Sequence, residues 1–507
     1  AIVKTNIMDG DKMLGKFIHD DAVSGAKPGI VIISETGKVN DFAESQAEAM
    51  IGIGARAMVI DATMMGVDKA DFTTYSNMEM STAVIAGIEA TKTCELCKTA
   101  VDSNKISVVG YGHGANAVLA ATAMGATFNA GIAYTPILAN APSSYSPSAS
   151  MAPRLLIMPD YDSISMLAAM EKNLGSSVNY EVFMQYATKP WFNVDTNDNY
   201  AKDQAARALT QSASFLSQVF AGTFSVAGSA KPNVAAPLTN IVSSDFKYMD
   251  GTEELDGRIV RDSSISSTHA VVVVPAWKGF ESYAIERLHY LANNGFVAMS
   301  ANIYDLPIGA GIDDMAQRGG NVSLWREANN DAKGRAFARR IDAARDHVLK
   351  EKDVTGASVI GFCFGGTGVY NTYRFGSEYD VHASFHGSMI STRDFTDASN
   401  TAAFKGYLAM YSGTEDAGES GDTLITHLKE LSDKSGKWEV TRYSGAQHGY
   451  TEWDSARYQA YAEGRSFDSF MAILKMKKLT VGSGASTLAA PTLLAVVAAV
   501  AALFYAH

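Results

Sequence analysis

Ser358-Val359-Ile360-Gly361-Phe362-Cys363-Phe364-Gly365-Gly366 is a short apolar run that leads directly into Gly-x-Cys-x-Gly-Gly. A β-branched run of this length reads as a buried strand, and the residues after the cysteine open a helix. Between them the chain must turn so sharply that a Cβ two residues before or after the cysteine would clash, which is why glycines stand there. Such a turn lifts one side chain above the end of a sheet. It also aims the next backbone N–H, that of Phe364, at any negative charge developing beside it. The side chain presented this way is a thiol, a nucleophile once deprotonated.

Working outward from Cys363, Leu408-Ala409-Met410-Tyr411-Ser412-Gly413 is a second strand running into a loop that carries Asp416, with Glu415 as its neighbour and rival. Glu439-Val440-Thr441 begins a third strand, and His448-Gly449 stands in the loop after it. Nucleophile, acid and base in that chain order, each where a strand ends, is the order of a strand-turn-helix hydrolase site. Around them, strands alternate with helical patterns. Val271–Val274 is a continuous apolar run closed by Pro275, as for a strand buried on both faces, and Ala338, Ile341, Ala344 and Val348 fall at helical spacing. The expected fold is therefore α/β, a mostly parallel sheet with helices on both faces.

The same pattern occurs twice. Met8-Asp9-Gly10 recurs as Met249-Asp250-Gly251, Gly29–Ile33 as Ala270–Val274, Gly54–Met58 as Gly295–Met299, and Ser107-Val108-Val109-Gly110-Tyr111-Gly112-His113-Gly114 as Ser358–Gly365. Order is kept and spacing nearly so, and the 507 residues therefore read as tandem domains: residues 1–225, a linker over 226–244 rich in Ala, Ser, Pro and Asn, residues 245–474, and a tail over 475–507. In the first copy Gly112 stands where Cys363 does, and the base position falls at Pro190 or Trp191. Asp162 near the acid position has nothing to act on, and His113 reads as packing or surface. That copy is expected to be inert, with packing, dimerisation or binding of a protein partner left as its role.

The second copy resembles the dienelactone hydrolase family over nearly all of residues 245–474, through the Asp-Gly hairpin, the elbow with cysteine, the Asp loop and the turn His448-Gly449-Tyr450. The resemblance implies two tandem α/β-hydrolase domains and opening of a small-molecule ester or lactone through an acyl-thioester on Cys363, with His448 as base and Asp416 orienting it. It implies an oxyanion site formed by the N–H of Phe364 with Trp277 or Lys278, and a glutamate that controls the resting thiol, placed by counting at Glu286. Tyr304, Arg318 and Tyr450 are implied at the substrate. His386, ending a strand near the same face, reads as a pocket residue or an ordinary strand-end histidine. Relatives acting on dienelactone hold its carboxylate with a second arginine four residues after the histidine. Here that position is Glu452, which repels an anion and makes a neutral ester or thioester at least as suitable. No cofactor or metal is called for.

The net charge of −12 gives no basic footprint for nucleic acid. The glycines of Gly110–Gly114 are spaced for an elbow and lack the third glycine and acidic partner of a dinucleotide site. Cys94 and Cys97 read as packed thiols, with a local disulfide or a redox pair as alternatives; zinc would need more ligands. From Leu488 to Tyr505 no residue is charged, a run of about 18 residues, near the lower limit for a bilayer span. The expectation is a single-pass C-terminal anchor with the soluble domains on the cytosolic or stromal side, favoured by Lys475, Lys477 and Lys478. A GPI-type signal at the cell surface is one alternative, and a helix packed on protein is the other. Against the hydrolase stands a non-catalytic structural or assembly subunit of a membrane-associated complex.

Overall fold

A computed structural model describes residues 1–67, 69–145, 154–195, 197–222, 240–312, 331–388, 403–418, 421–477 and 479. The described residues form two compact units, one ending at residue 222 and the other starting at residue 240. Both are mixed α/β.

In the first unit the strands are β1 (Ile2–Asp9), β2 (Lys12–Asp20), β3 (Lys27–Ile33), β4 (Arg56–Ile60), β5 (Val101–Tyr111), β6 (Ala130–Tyr134), β7 (Arg154–Met158) and β8 (Tyr180–Gln185). Their order across the sheet is β1-β2-β4-β3-β5-β6-β7-β8. β1 and β2 form an antiparallel hairpin, β2 also runs against β4, and every pairing from β4 through β3 to β8 is parallel.

The second unit repeats this with β9 (Ile241–Asp250), β10 (Glu253–Asp262), β11 (His269–Val274), β12 (Val297–Ser300), β13 (Gly356–Phe362), β14 (Val381–Phe385), β15 (Tyr407–Gly413) and β16 (Trp438–Tyr443). The order is β9-β10-β12-β11-β13-β14-β15-β16, the same permutation with the same senses. Strand structure starts at Ile241, ahead of the boundary read at residue 245.

Alternate residues of β11 feed two cores. Val271 and Val273 join Leu288, Leu291 and Phe467 on one face of the sheet, whereas Ala270, Val272 and Val274 join Phe337, Ile341 and Val348 on the other. That double burial is what the unbroken valine run encodes, and each wholly buried valine contributes about 1.5 kcal/mol or more. The helix Asp331–Val348 covers the stretch expected from its periodicity, with Ala338, Ile341, Ala344 and Val348 buried.

Cys94 and Cys97 are disulfide-bonded, not free as read from the sequence. Cys97 begins a short helix immediately after the turn that follows Asn77–Thr93, and this tight reversal brings the two sulfurs together. Among the described residues no helix is long and apolar enough to cross a membrane. The C-terminal run Leu488–Tyr505 lies outside them, as does most of the linker.

Candidate active site

Cys363 sits at φ 53°, ψ −116°, between the end of β13 and the helix Phe364–Arg374. A non-glycine residue there is strained by about 1–3 kcal/mol, and the surrounding packing holds it in place. A Cβ on Gly361 would lie 2.2 Å from the carbonyl oxygen of Gly365, and one on Gly365 would lie 2.3 Å from that of Val274 and 2.4 Å from that of Pro275. The glycines thus let the elbow close, and let the loop after β11 press against it. That loop carries Trp277 and Lys278, both half-buried, and Trp277 packs with Tyr304 and Cys363 against one core. The loop carrying Trp277 and Lys278 therefore lies against the elbow that carries Cys363 and Phe364.

The loops after β15 and β16 bring up the other two groups. His448 Nε2 lies 2.9 Å from Cys363 Sγ, and His448 Nδ1 lies 2.9 Å from Asp416 Oδ2. A carboxylate only accepts, so Nδ1 carries the proton and Nε2 faces the sulfur. Asp416 is buried and also accepts from the backbone N–H of Gly418. Burial of His448 opposes its protonated form, but hydrogen bonds to Asp416 and Cys363, with the charges of both, outweigh that and push its pKa up to about 10. The arrangement thereby favours the protonated imidazole beside the sulfur.

The remaining expected residues divide. Tyr304 packs beside the elbow: its ring stacks on Phe364 at 6.3 Å, and its buried hydroxyl has no hydrogen-bond partner among the described residues. Its pKa is raised by burial and then by the neighbouring Cys363. Glu452 folds back on Gly449, where a Cβ would lie 3.3 Å from its carboxyl carbon. Burial raises the Glu452 pKa, against the influence of Arg457, His448 and Lys278. Arg318 lies outside the described residues. Glu286, on the helix Ser282–Asn293, is within electrostatic reach of His289, which also feels Arg258.

Two of the residues expected near the substrate are wholly buried. Tyr450 packs among Tyr443, His386 and the core. His386 is also wholly buried. Its Nδ1 accepts from the backbone N–H of Cys363 at 3.1 Å, and its Nε2 lies 2.7 Å from Thr451 Oγ1. It stands behind the nucleophile. Thr451 was not picked out from the sequence, and its only signal is its place three residues after His448.

The first unit keeps the elbow with a glycine in place of the cysteine. Gly112 has φ 55°, ψ −113°, and a Cβ there would fall 1.9 Å from Cη2 of Trp191. From the paired strand ends, His448 corresponds to Pro190 and Gly449 to Trp191, and the latter two share a left-handed backbone at φ 79° and 68°. The indole fills the space a nucleophile would need. Asp162 is exposed, and the buried carboxylate in that loop, Asp160, caps the turn Tyr161–Met166. His113 opens the helix after Gly112, and burial lowers its pKa.

The sheet order and the elbow together define an α/β-hydrolase, here in two copies. The profile of the dienelactone hydrolase family matches residues 17–220 and again 255–477. The chain belongs to the dienelactone hydrolase family. Among solved structures it is similar to one described as m3DLH, with 24% identity and a TM-score of 0.42, over 47% of this chain and 98% of that one. It is also similar to a dienelactone hydrolase-like promiscuous phosphotriesterase from metagenomic libraries, with 25% identity and a TM-score of 0.41, over 48% of this chain and all of that one. An acylaminoacyl peptidase from Pyrococcus horikoshii is 14% identical, with a TM-score of 0.36, over 49% of this chain and 43% of that one. No curated protein matches the sequence.

Proposed function

We propose that the second unit hydrolyses a carboxylic ester, lactone or thioester through Cys363, His448 and Asp416. Family membership supports a hydrolase of ester or lactone type acting on a small molecule. The finer reading rests on one observation, the unbroken Asp416–His448–Cys363 relay with 2.9 Å at each step. The Cys363 thiolate attacks the carbonyl carbon, and the oxyanion is held by the N–H of Phe364 and one from the Trp277–Lys278 segment. As the tetrahedral carbon collapses, the bond to the leaving oxygen or sulfur breaks and His448 gives that atom its proton. Water, deprotonated by His448, then attacks the thioester, and the carboxylic acid leaves with Cys363 restored. Asp416 keeps the imidazole in the required tautomer throughout.

Glu452 supports an uncharged acyl group: a carboxylate beside His448 disfavours a second anion, and the Tyr304 hydroxyl, without a partner among the described residues, offers a neutral donor to the substrate. The first unit, with Trp191 over Gly112, supports a non-catalytic role such as binding a protein partner. A chromogenic acetate ester is expected to be turned over by the full chain and not by Cys363→Ala. Equal turnover by both would exclude the relay, and a wild type that is folded but inert on esters, lactones and thioesters would favour the structural subunit. Membrane association through the C-terminal tail stays a proposal, to be tested by partition of the full chain and of a chain ending at residue 479 into vesicles.

A further inference from the structure

His386 and its counterpart in the first unit occupy the same backbone slot. His386 follows β14 at φ 41°, and its N–H donates to the carbonyl of Tyr411 at 2.7 Å. Thr135 follows β6 at φ 46°, and its N–H donates to the carbonyl of Met158 at 2.9 Å. Both elbows also receive the same support, since the N–H of Cys363 donates to Phe385 O at 3.0 Å and that of Gly112 to Tyr134 O at 2.9 Å. The two elbows agree closely in φ and ψ. An imidazole in this slot is therefore not needed to fold the turn.

What the imidazole adds is a link. Its Nδ1 takes a share of the Cys363 N–H, so its proton sits on Nε2, which donates to Thr451 Oγ1. Thr451 belongs to the loop that carries His448, and its hydroxyl also meets Tyr283 Oη at 2.7 Å, while its carbonyl accepts from Arg287 at 3.0 Å. Arg287 is itself wholly buried, paired with Glu463 and lying over the Trp453 ring. The nucleophile's own backbone is thus tied through one side chain to the loop of its base, and that loop is anchored in the core. The rings of His386 and His448 meet edge to face at 5.4 Å.

We infer that His386 is a positioning residue, which through Thr451 fixes the elbow of Cys363 at hydrogen-bonding distance from His448, and that the first unit lost this link together with its nucleophile. The inference rests on the Cys363–His448 reading above. Charged groups facing His386 are His448, Arg287 and Arg457; burial first, then these cations, hold it neutral, as an acceptor at Nδ1 requires. A sub-ångström drift of thiol from imidazole is enough to lose reactivity.

The test is the pH profile of Cys363 alkylation by iodoacetamide in the full chain, read by mass spectrometry, which needs no substrate. His386→Thr installs the residue the first unit already tolerates in this slot. It is expected to keep the fold by circular dichroism, to slow alkylation at neutral pH about tenfold and to move the midpoint of the profile upward. Thr451→Val cuts the same link from the other end and should do the same, with the double variant no worse than either single one. Unchanged profiles in both single variants would overturn the inference. Should His386→Thr not fold, Thr451→Val decides alone. A wild-type Cys363 that titrates like an ordinary thiol would instead sink the catalytic reading on which the inference stands.

Discussion

The elbow at Cys363 and the elbow at Gly112 share backbone angles to within a few degrees, yet one presents a thiol to an imidazole and the other is covered by an indole. The comparison separates what the fold needs from what chemistry needs. The glycines flanking each turn are retained because a Cβ at Gly110 or Gly361 would strike backbone oxygen at 2.0 or 2.2 Å. Those contacts belong to strand-to-helix packing, so they persist with or without catalysis. On the proposed reading, Cys363, His448 and the His386 link serve only the reaction, and all three are replaced together in the first unit by Gly112, Pro190 and Thr135. Glycine at position 112 also removes the strain that cysteine bears at 363.

Making the second elbow like the first has the largest expected effect. Cys363→Gly should lower ester turnover by roughly five orders of magnitude, while the melting temperature stays close to wild type because glycine accepts the same angles. A variant retaining measurable turnover would show that the thiol is dispensable. Next comes Asp416→Asn, which keeps the shape but no longer imposes the Nδ1–H tautomer. The expected loss in kcat is about 10³–10⁴ with little change in KM, read by steady-state kinetics.

The reverse transplant probes stability. Gly112→Ala should cost about 2–3 kcal/mol, because its methyl group meets the Trp191 ring and its φ is positive. In a double-mutant cycle measured by urea unfolding, Trp191→Ala should recover part of that cost. Additive costs would mean the indole is not what fills the space above Gly112. A smaller effect is expected for Glu452→Arg, about a tenfold shift in relative kcat/KM toward substrates with a free carboxylate.

A separate effect is on the pH dependence of stability. His448 has a folded pKa of about 10 against an ordinary 6.5, so its proton stabilises the fold fully below pH 6.5. That contribution is lost as pH rises through 10. Cys363→Ala removes one of the two partners that raise this pKa, and imidazole titration by NMR should show a lower value in that variant.

The repeat and the sheet were legible in the chain, and so were the three residues proposed for the relay as candidates, because each depends on local rules. Gly-x-Cys-x-Gly-Gly after an apolar strand fixes an elbow, and loops following β15 and β16 must end on the same face of a parallel sheet. What the sequence hid depends on packing between distant segments. Nothing local to Phe385-His386-Gly387 indicates that the imidazole turns behind the nucleophile, since its acceptor role is set by Cys363 and its donor role by Thr451. Tyr450, beside the base in sequence, is carried into the core by the left-handed turn at Gly449. Trp191 looked like a missing base, and only the three-dimensional fold shows that it fills the missing nucleophile's space as well. The Cys94–Cys97 pairing turned on the tightness of a helix end, which composition does not reveal.

The central claim is tested most directly by trapping the acyl group. The full chain is mixed with a slowly deacylating activated ester, quenched in acid, digested and sequenced by mass spectrometry. The account predicts one acyl adduct on the peptide carrying Cys363, absent in His448→Ala at neutral pH, with no adduct on the Cys94–Cys97 pair or elsewhere in the first unit. Turnover of the ester with no adduct on Cys363, or an adduct that forms equally fast without His448, would contradict it.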